Sequence, residues 1–236
     1  MNSLIGKDQA RDISYSLRRY YVDEFHLRQV AKLEPGSVVL DLGGNRLGKR
    51  GTFDLDRFGL VVTYANLSLA KKPDVQSDAT ALPFQESVFD CVICSELLEH
   101  VPDPVRVIAE IRRVLKKSGE ALICVPFSFP IHADPSDYGR YTGFYWNEVM
   151  GSQGFGQILI ENQGGFWSVL VDMIRYYTYS RTKMWGAERA KTLEVIGRLL
   201  GMLKQGAINS DGRNKKTSQE NLIGYTTGFG VRACKL

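Results

Sequence analysis

The 236-residue sequence predicts a doubly wound α/β domain on a mostly parallel seven-stranded sheet, with an N-terminal helix and a helical cap inserted before the last strand. Three observations carry this. Short, near-continuous apolar runs recur along the chain, as expected of strands buried on both faces. Segments with apolar residues three or four apart lie between them. The first run, Ser37-Val38-Val39-Leu40-Asp41-Leu42, passes directly into Gly43-Gly44, a buried strand feeding a glycine turn.

Each element has its own signal. Ile13, Leu17, Tyr20, Leu27 and Ala31, spaced by three, four or seven, predict one amphipathic helix over residues 11–33, stopped by Pro35-Gly36. Strands follow at 37–42, 60–65, 74–79 and 89–94. Asp103-Pro104 opens a helix with Asp as N-cap and Pro at the first position, and Lys116-Lys117-Ser118-Gly119 is read as its close. Residues 121–125 form the fifth strand. A helix near 145–153, a strand at 157–161 and a last strand at 225–234 complete the alternation. Phe166–Tyr179 and the apolar face marked by Leu193, Ile196, Leu199, Leu200 and Leu203 are the extra helices. The polar stretch Gln205–Asn221 is read as a loop. The expected organisation is a helical segment 1–34, a core 35–163, a cap with a basic loop 164–222, and a final core strand 223–236.

Composition narrows the function classes. At 44% hydrophobic and 24% charged, this is an ordinary globular chain. Its net charge of +4 is too small to imply nucleic acid, although residues 181–236 hold eleven Lys/Arg against four Asp/Glu. That surplus could attract phosphate, an anionic glycan or a membrane surface. Cys91 and Cys94 sit three apart on a strand and so point to opposite faces, which argues against a shared metal or disulfide. Buried reduced thiols suit a cytoplasmic protein. No apolar leader core lies between Met1 and Tyr20, and no stretch reaches the ~18 apolar residues of a membrane span. Peripheral membrane contact stays open.

Ligands of open α/β sheets bind beyond the carboxyl ends of the strands, so the residues after each strand matter most. Gly43-Gly44-Asn45-Arg46-Leu47-Gly48 is not a GxGxxG dinucleotide fingerprint. Asp41 ahead of the glycines instead suits a ligand carrying an ammonium group. Asp41-Leu42-Gly43, Asp78-Ala79-Thr80-Ala81-Leu82-Pro83-Phe84, Phe89-Asp90 and Ser95-Glu96-Leu97-Leu98-Glu99-His100-Val101, in this order, resemble class I S-adenosylmethionine-dependent methyltransferases of the type 11 branch. The resemblance runs from about Val38 to Phe129 and implies a Rossmann-like methyltransferase fold. His132–Thr142 is similar to a segment of branch members associated with surface-glycan biosynthesis.

The resemblance implies that Asp41, Gly43 and Gly44 form the loop near the methionine moiety of S-adenosylmethionine. Asn66 and the adjoining Leu67 stand where the ribose is held, Asp78 and the Ala79 N–H meet the adenine, and Ser95 and Glu96 line the methionyl end. Asn45 and Leu47 replace later glycines of DxGxGxG, and Asn66 replaces the usual ribose acid, which gives up charge-assisted bonding. Because the sulfonium is already activated, alignment supplies most of the acceleration, and an oxygen acceptor needs in addition a base. Candidates for the catalytic groups are Glu99, His100, His132 and Asp137, each of which also has a plain structural reading as a hinge or loop brace. Glu96-x-x-Glu99-His100 looks like the ExxEH metal set of ubiquinone-biosynthetic and small-RNA methyltransferases. A divalent metal is nonetheless not expected, because the same letters also occur as simple helix-entry sequence.

Aromatic and aliphatic residues from Phe166 to Tyr177 either wall an apolar or sugar-stacking pocket or, as such spacing more often means, form plain core. The expectation is therefore methyl transfer from S-adenosylmethionine to an oxygen of a small-molecule or glycan-like acceptor. The alternatives are a non-catalytic binding or scaffold protein, supported by the altered glycine loop, and an RNA methyltransferase, supported by the basic tail alone.

Overall fold

The computed structural model describes residues 5–46, 51–132, 135–182, 190–217 and 224–236. Seven strands in these residues form one sheet: β1 (Val38–Leu42), β2 (Val61–Asn66), β3 (Val75–Gln76), β4 (Phe89–Ser95), β5 (Leu115–Pro126), β6 (Phe155–Gln163) and β7 (Gly228–Lys235). The order is β3-β2-β1-β4-β5-β7-β6. β1 to β5 run parallel, and β7 inserts antiparallel between β5 and β6. The helices are α1 (Lys7–Arg11), α2 (Leu17–Val30), α3 (Pro104–Val114), α4 (Gly143–Ser152), α5 (Phe166–Thr182) and α6 (Ala190–Thr217).

Strand alternation sorts the core into two layers. Leu40, Leu42, Val92, Cys94, Ala121 and Ile123 pack with Val107, Ile108 and Ile111 of α3 and Trp146 and Met150 of α4. Val39, Cys91, Ile93, Leu122 and Cys124 pack on Val22, Phe25 and Val30 of α2. Cys91 and Cys94 thus lie on opposite faces of the sheet, as the strand geometry requires. Full burial of each large aliphatic side chain here contributes about 1.5–3 kcal/mol. The predicted cap of α3 is present: Asp103 accepts from the Arg106 N–H at 3.1 Å, with Pro104 first in the helix.

Three sequence readings need correction. The helix read over residues 11–33 is shorter: α1 ends at Arg11 and α2 starts only at Leu17, and between them Asp12 accepts from the Ser14 N–H and the Ser16 hydroxyl caps α2 through the Arg19 N–H. Lys116–Gly119 does not close α3, which ends at Val114. These residues already belong to β5, where Ser118 adopts a left-handed φ of 62° and Lys116 pairs with Asp90 at 2.8 Å. The expected loop after Gln205 is helical as far as Thr217, held to the layer by the buried Ala207, Ile208 and Asp211; residues 218–221 lie outside the described ones.

α1, α2, α5 and α6 pack together as a helical layer with its own small core of Tyr15, Leu17, Tyr20, Val171, Ala207 and Ile208. Carboxylates tie this layer together. Asp211 on α6 accepts from the Gly165, Trp167 and Ser168 N–H groups and the Ser168 hydroxyl (2.6–3.1 Å), capping α5 from another helix. Asp172 on α5 in turn accepts from the Leu17 and Arg18 N–H groups, both at 2.8 Å, and caps α2.

Candidate active site

The residues singled out from the sequence gather at the carboxyl edge of the parallel strands. After β1, Gly43 takes a φ of 82° and its N–H donates to Ala65 O at 2.8 Å. A Cβ on Gly44 would lie 2.2 Å from the Asp41 carboxyl, so only glycine lets the chain pass this acid. The Asn66 amide donates to the carbonyls of Gly43 (2.8 Å) and Gly44 (3.1 Å), and its Oδ1 accepts from the Ser68 N–H. Asn66 therefore braces the glycine turn across the β1–β2 gap, while the neighbouring Leu67 is exposed. Arg46 follows the turn, pairs with Asp74 at 2.6 Å and lies over the Tyr64 ring.

Beyond β3, Asp78 is exposed and Ala79 is buried. The Thr80 N–H and hydroxyl both donate to Asp78 Oδ1 at 2.8 Å, and these bonds hold its carboxyl below the usual carboxylate range.

At the end of β4, Glu96 adopts a φ of 53°, a strained conformation for a non-glycine residue, fixed by its N–H donating to Cys124 O at 2.9 Å. Arg18 from α2 reaches over the sheet and binds Glu96 Oε1 through Nε (3.1 Å) and Nη2 (2.5 Å), and its Nη1 also donates to Gln163. Burial acts to raise Glu96, but the Arg18 guanidinium outweighs it and holds the acid ionised. The space for Arg18 exists because residue 228 is glycine: a Cβ there would lie 2.3 Å from Nη1. Ser95 shares a 2.9 Å bond with His26 Nε2. Burial drives His26 down to about 3, which keeps it neutral.

The four candidate acid–base residues are brought together. Glu99 is 2% exposed, and among the described residues neither of its carboxylate oxygens finds a hydrogen-bond partner. Burial, reinforced by the charge of Glu96, pushes it up to about 8. His100 Nε2 lies 3.6 Å from Glu99 Oε1, while its Nδ1 donates to Ser136 O at 2.6 Å. Because Nδ1 carries the proton, neutral His100 turns an Nε2 lone pair toward Glu99. The His132 ring meets that of His100 edge to face at 5.0 Å. Asp137 accepts from the His132 N–H at 2.9 Å and forms a two-pronged pair with Arg140 (2.5 and 2.7 Å), which holds it down at about 2. One ligand atom each from Glu99, His100 and His132 lies within 4.8 Å of the others, a spacing that would admit a metal ion.

Arg18, His26 and Gln163 belong to this site and escaped sequence reading. Arg18 sits among the charged residues of an amphipathic helix, and nothing in its neighbours marks it as the one that turns inward.

On the cap, Val169 is buried, but Trp167, Leu170, Met173, Ile174, Tyr176 and Tyr177 are each more than a third exposed, so this face is not plain core.

The type 11 methyltransferase-domain family matches residues 36–123. Demethylmenaquinone methyltransferase of Mycobacterium bovis is 33% identical over 114 residues, covering 45% of this chain and 47% of that protein. The enzyme of the same name from Renibacterium salmoninarum is 36% identical over 104 residues, covering 41% and 44%. The chain thus spans about half the length of the curated relatives it matches. Among solved structures, phosphoethanolamine N-methyltransferase 2 of Haemonchus contortus superposes with a TM-score of 0.56 at 20% identity, over 90% of this chain and 52% of that one. A SAM-dependent methyltransferase from Archaeoglobus fulgidus gives 0.55 at 17% identity (92% and 94%). The [4+2]-cyclase SpnF gives 0.57 at 18% (92% and 80%). At these identities the structural likeness shows the fold.

Proposed function

We propose that this chain, whose residues 36–123 match the type 11 methyltransferase-domain family, is a class I S-adenosylmethionine-dependent methyltransferase that methylates an oxygen of a small-molecule or glycan-like acceptor. The observation that carries this reading is the buried Glu99 carboxyl, without a hydrogen-bond partner among the described residues and beside two imidazoles at the carboxyl edge of the sheet. S-adenosylmethionine supplies an activated methyl group. The cradle suits it: Asp41 beside Gly44 meets an ammonium, Asn66 and Leu67 lie toward the ribose, Asp78 and Ala79 toward the adenine, and Ser95 and Glu96 toward the methionyl end. Arg18 holds Glu96 in place and ionised while the other groups contact the ligand.

On this reading the acceptor hydroxyl lies against Glu99, His100 and His132. There Glu99 or the adjacent imidazole would take the hydroxyl proton as the acceptor oxygen is methylated. Asp137, locked by Arg140, positions His132 through its backbone N–H. A second reading draws on the same cluster: Glu99, His100 and His132 hold a divalent cation that orients the acceptor oxygen. Methyl transfer that survives strong chelation removes that reading and leaves proton transfer.

Calorimetric titration with S-adenosylhomocysteine tests the cofactor assignment. Wild type binds at micromolar concentration, and Asp78→Ala weakens binding roughly ten-fold or more, the worth of one hydrogen bond to a charged group. No binding at millimolar ligand would favour the non-catalytic scaffold. Salt-sensitive RNA binding would move the acceptor to nucleic acid.

A further inference from the structure

We propose that the outer face of α5 and α6 is a docking surface for an anionic lipid bilayer, with the two helices lying on it. The pattern of α5 is inverted for a chain surrounded by water, and α6 shares it in part. Of the five buried side chains of α5, three are polar: Ser168, Asp172 and Arg175. Its outward stripe is Trp167, Leu170, Ile174 and Tyr177, spaced by three and four residues, with Met173 beside it. α6 is mixed, with Leu200, Ala207 and Ile208 buried beside two charged groups. Lys204 and Asp211 are buried in it, and Gly197 and Gly201 face α1 so closely that a Cβ on Gly197 would lie 2.7 Å from Arg11 O. Val195, Leu199 and Met202 point outward, the last two 52% and 65% exposed. Small and polar side chains inside with large apolar ones outside is the arrangement of helices whose surroundings are lipid.

The two stripes belong to neighbouring helices. Asp211, late in α6, caps the start of α5, and Lys204, earlier in α6, lies within the electrostatic reach of Asp172 and Arg175, further along α5. The helices therefore run antiparallel in one layer, each with its apolar stripe on the side away from the protein. A patch of this composition exceeds the scattered apolar residues of an ordinary surface. No helix of the described residues is long and apolar enough to cross a membrane, so the geometry is that of a helix pair lying in the interface.

Charge selects the occupant. Between residues 181 and 217 the sequence has nine Lys/Arg against three Asp/Glu, and in the structure Lys204 and Asp211 are buried. Arg181 stacks over the Tyr177 ring at 5.4 Å, and Arg198 and Arg213 are exposed. Anionic headgroups attract this excess, whereas a second copy would bring like charge against like. Trp and Tyr at the rim of an apolar stripe, with Arg beyond them, are the residue types that favour the headgroup level. The surface is also joined to the site, because Asp172 of α5 caps α2 and α2 carries Arg18 to Glu96.

The test is co-sedimentation of the full chain with vesicles of equimolar phosphatidylcholine and phosphatidylglycerol, and with phosphatidylcholine alone. The probes are the Leu170→Gln/Ile174→Gln and Leu199→Gln/Met202→Gln variants. Both replace outward side chains, so circular dichroism should match wild type. Wild type partitions onto the anionic vesicles about ten-fold more strongly than either variant or than onto phosphatidylcholine alone, and high salt weakens the binding. Wild type that stays in solution, or variants that bind equally, overturns the proposal. A wild-type dimer in sedimentation velocity that either double variant dissociates also overturns it, by giving the face to a second copy. S-adenosylhomocysteine binding does not enter this readout, so it stands or falls separately from the enzyme reading.

Discussion

The sheet and the helical layer are held together by opposite means. In the sheet, Val39, Leu40, Val92, Ile93, Leu122 and Ile123 are fully or almost fully buried, and specificity comes from strand register. In the helical layer the interior is a relay of ionic and capping contacts. Asp211 caps α5, Asp172 caps α2 and Arg18 locks Glu96 beside a small apolar cluster, while Leu170, Met173 and Ile174 of α5 and Leu199 and Met202 of α6 face out. An apolar interior is stabilised in proportion to its area and tolerates small shifts. A polar interior is stabilising only when every donor and acceptor is met, so loss of one partner strands another. The difference teaches where single substitutions do the most harm, and it gives the helical layer direct leverage on the site.

The largest expected effect is at Arg18. Arg18→Met leaves Glu96 largely buried without its counter-charge, and should cost about 3–5 kcal/mol in urea unfolding while weakening S-adenosylhomocysteine binding. If Arg18→Met/Glu96→Gln regains most of that stability, the pair is an electrostatic lock; if it does not, Arg18 acts through packing. Asp211→Ala removes four acceptor contacts at the start of α5 and should cost about 2–3 kcal/mol, with Asp211→Asn recovering part of it. A cost near zero would break the comparison, since the relay would then be ornamental.

Lys204 offers a pH test with a definite sign. Burial lowers it to about 8, from the usual Lys value near 10.4, and its ammonium donates to Asp12 O at 2.7 Å. Below pH 8 the group is charged both folded and unfolded, and the full burial cost is present. Between about pH 8 and 10 the folded protein releases this proton first, the unfolded chain binds more protons, and this contribution to stability rises with pH. Lys204→Met should therefore be more stable by about 1–2 kcal/mol at pH 7, net of the lost hydrogen bond, and the gain should shrink as pH rises through 8–10. The smallest effect belongs to the outward stripe. Leu199→Gln/Met202→Gln should move stability by no more than about 0.5 kcal/mol in the absence of lipid, because both side chains are more than half exposed. A loss of several kcal/mol would mean that the stripe is core after all.

Much of the sheet was legible because its signals are local. Val38–Leu42 and Phe89–Cys94 are apolar runs bounded by turns, and Asp103-Pro104 caps a helix through its own backbone. The motif residues Asp41, Gly43, Gly44, Asp78, Ser95 and Glu96 were legible through the family resemblance, and each lies at or just after the end of a strand. The helical layer was misread because the criterion that apolar means inside fails there. Gln205–Asp211 looked like a loop because it is polar, and Trp167–Tyr177 looked like core or pocket because it is apolar; in the structure the first is helical and the second is not plain core.

The sequence by itself determined the strand alternation, the glycine turn after Asp41 and the clustering of Glu99 and His100 beyond β4, since each depends on residues within a few positions of one another. Only the tertiary structure decided that Arg18 meets Glu96 across 78 positions, that Asp211 caps a helix 43 residues before it, and that Glu99 sits buried beside His132 without a hydrogen-bond partner among the described residues. A charge that caps a distant helix and one that faces water are written with the same letter. What separates them is which groups the chain has brought within about 3 Å, and that distance is fixed only when the whole fold has closed.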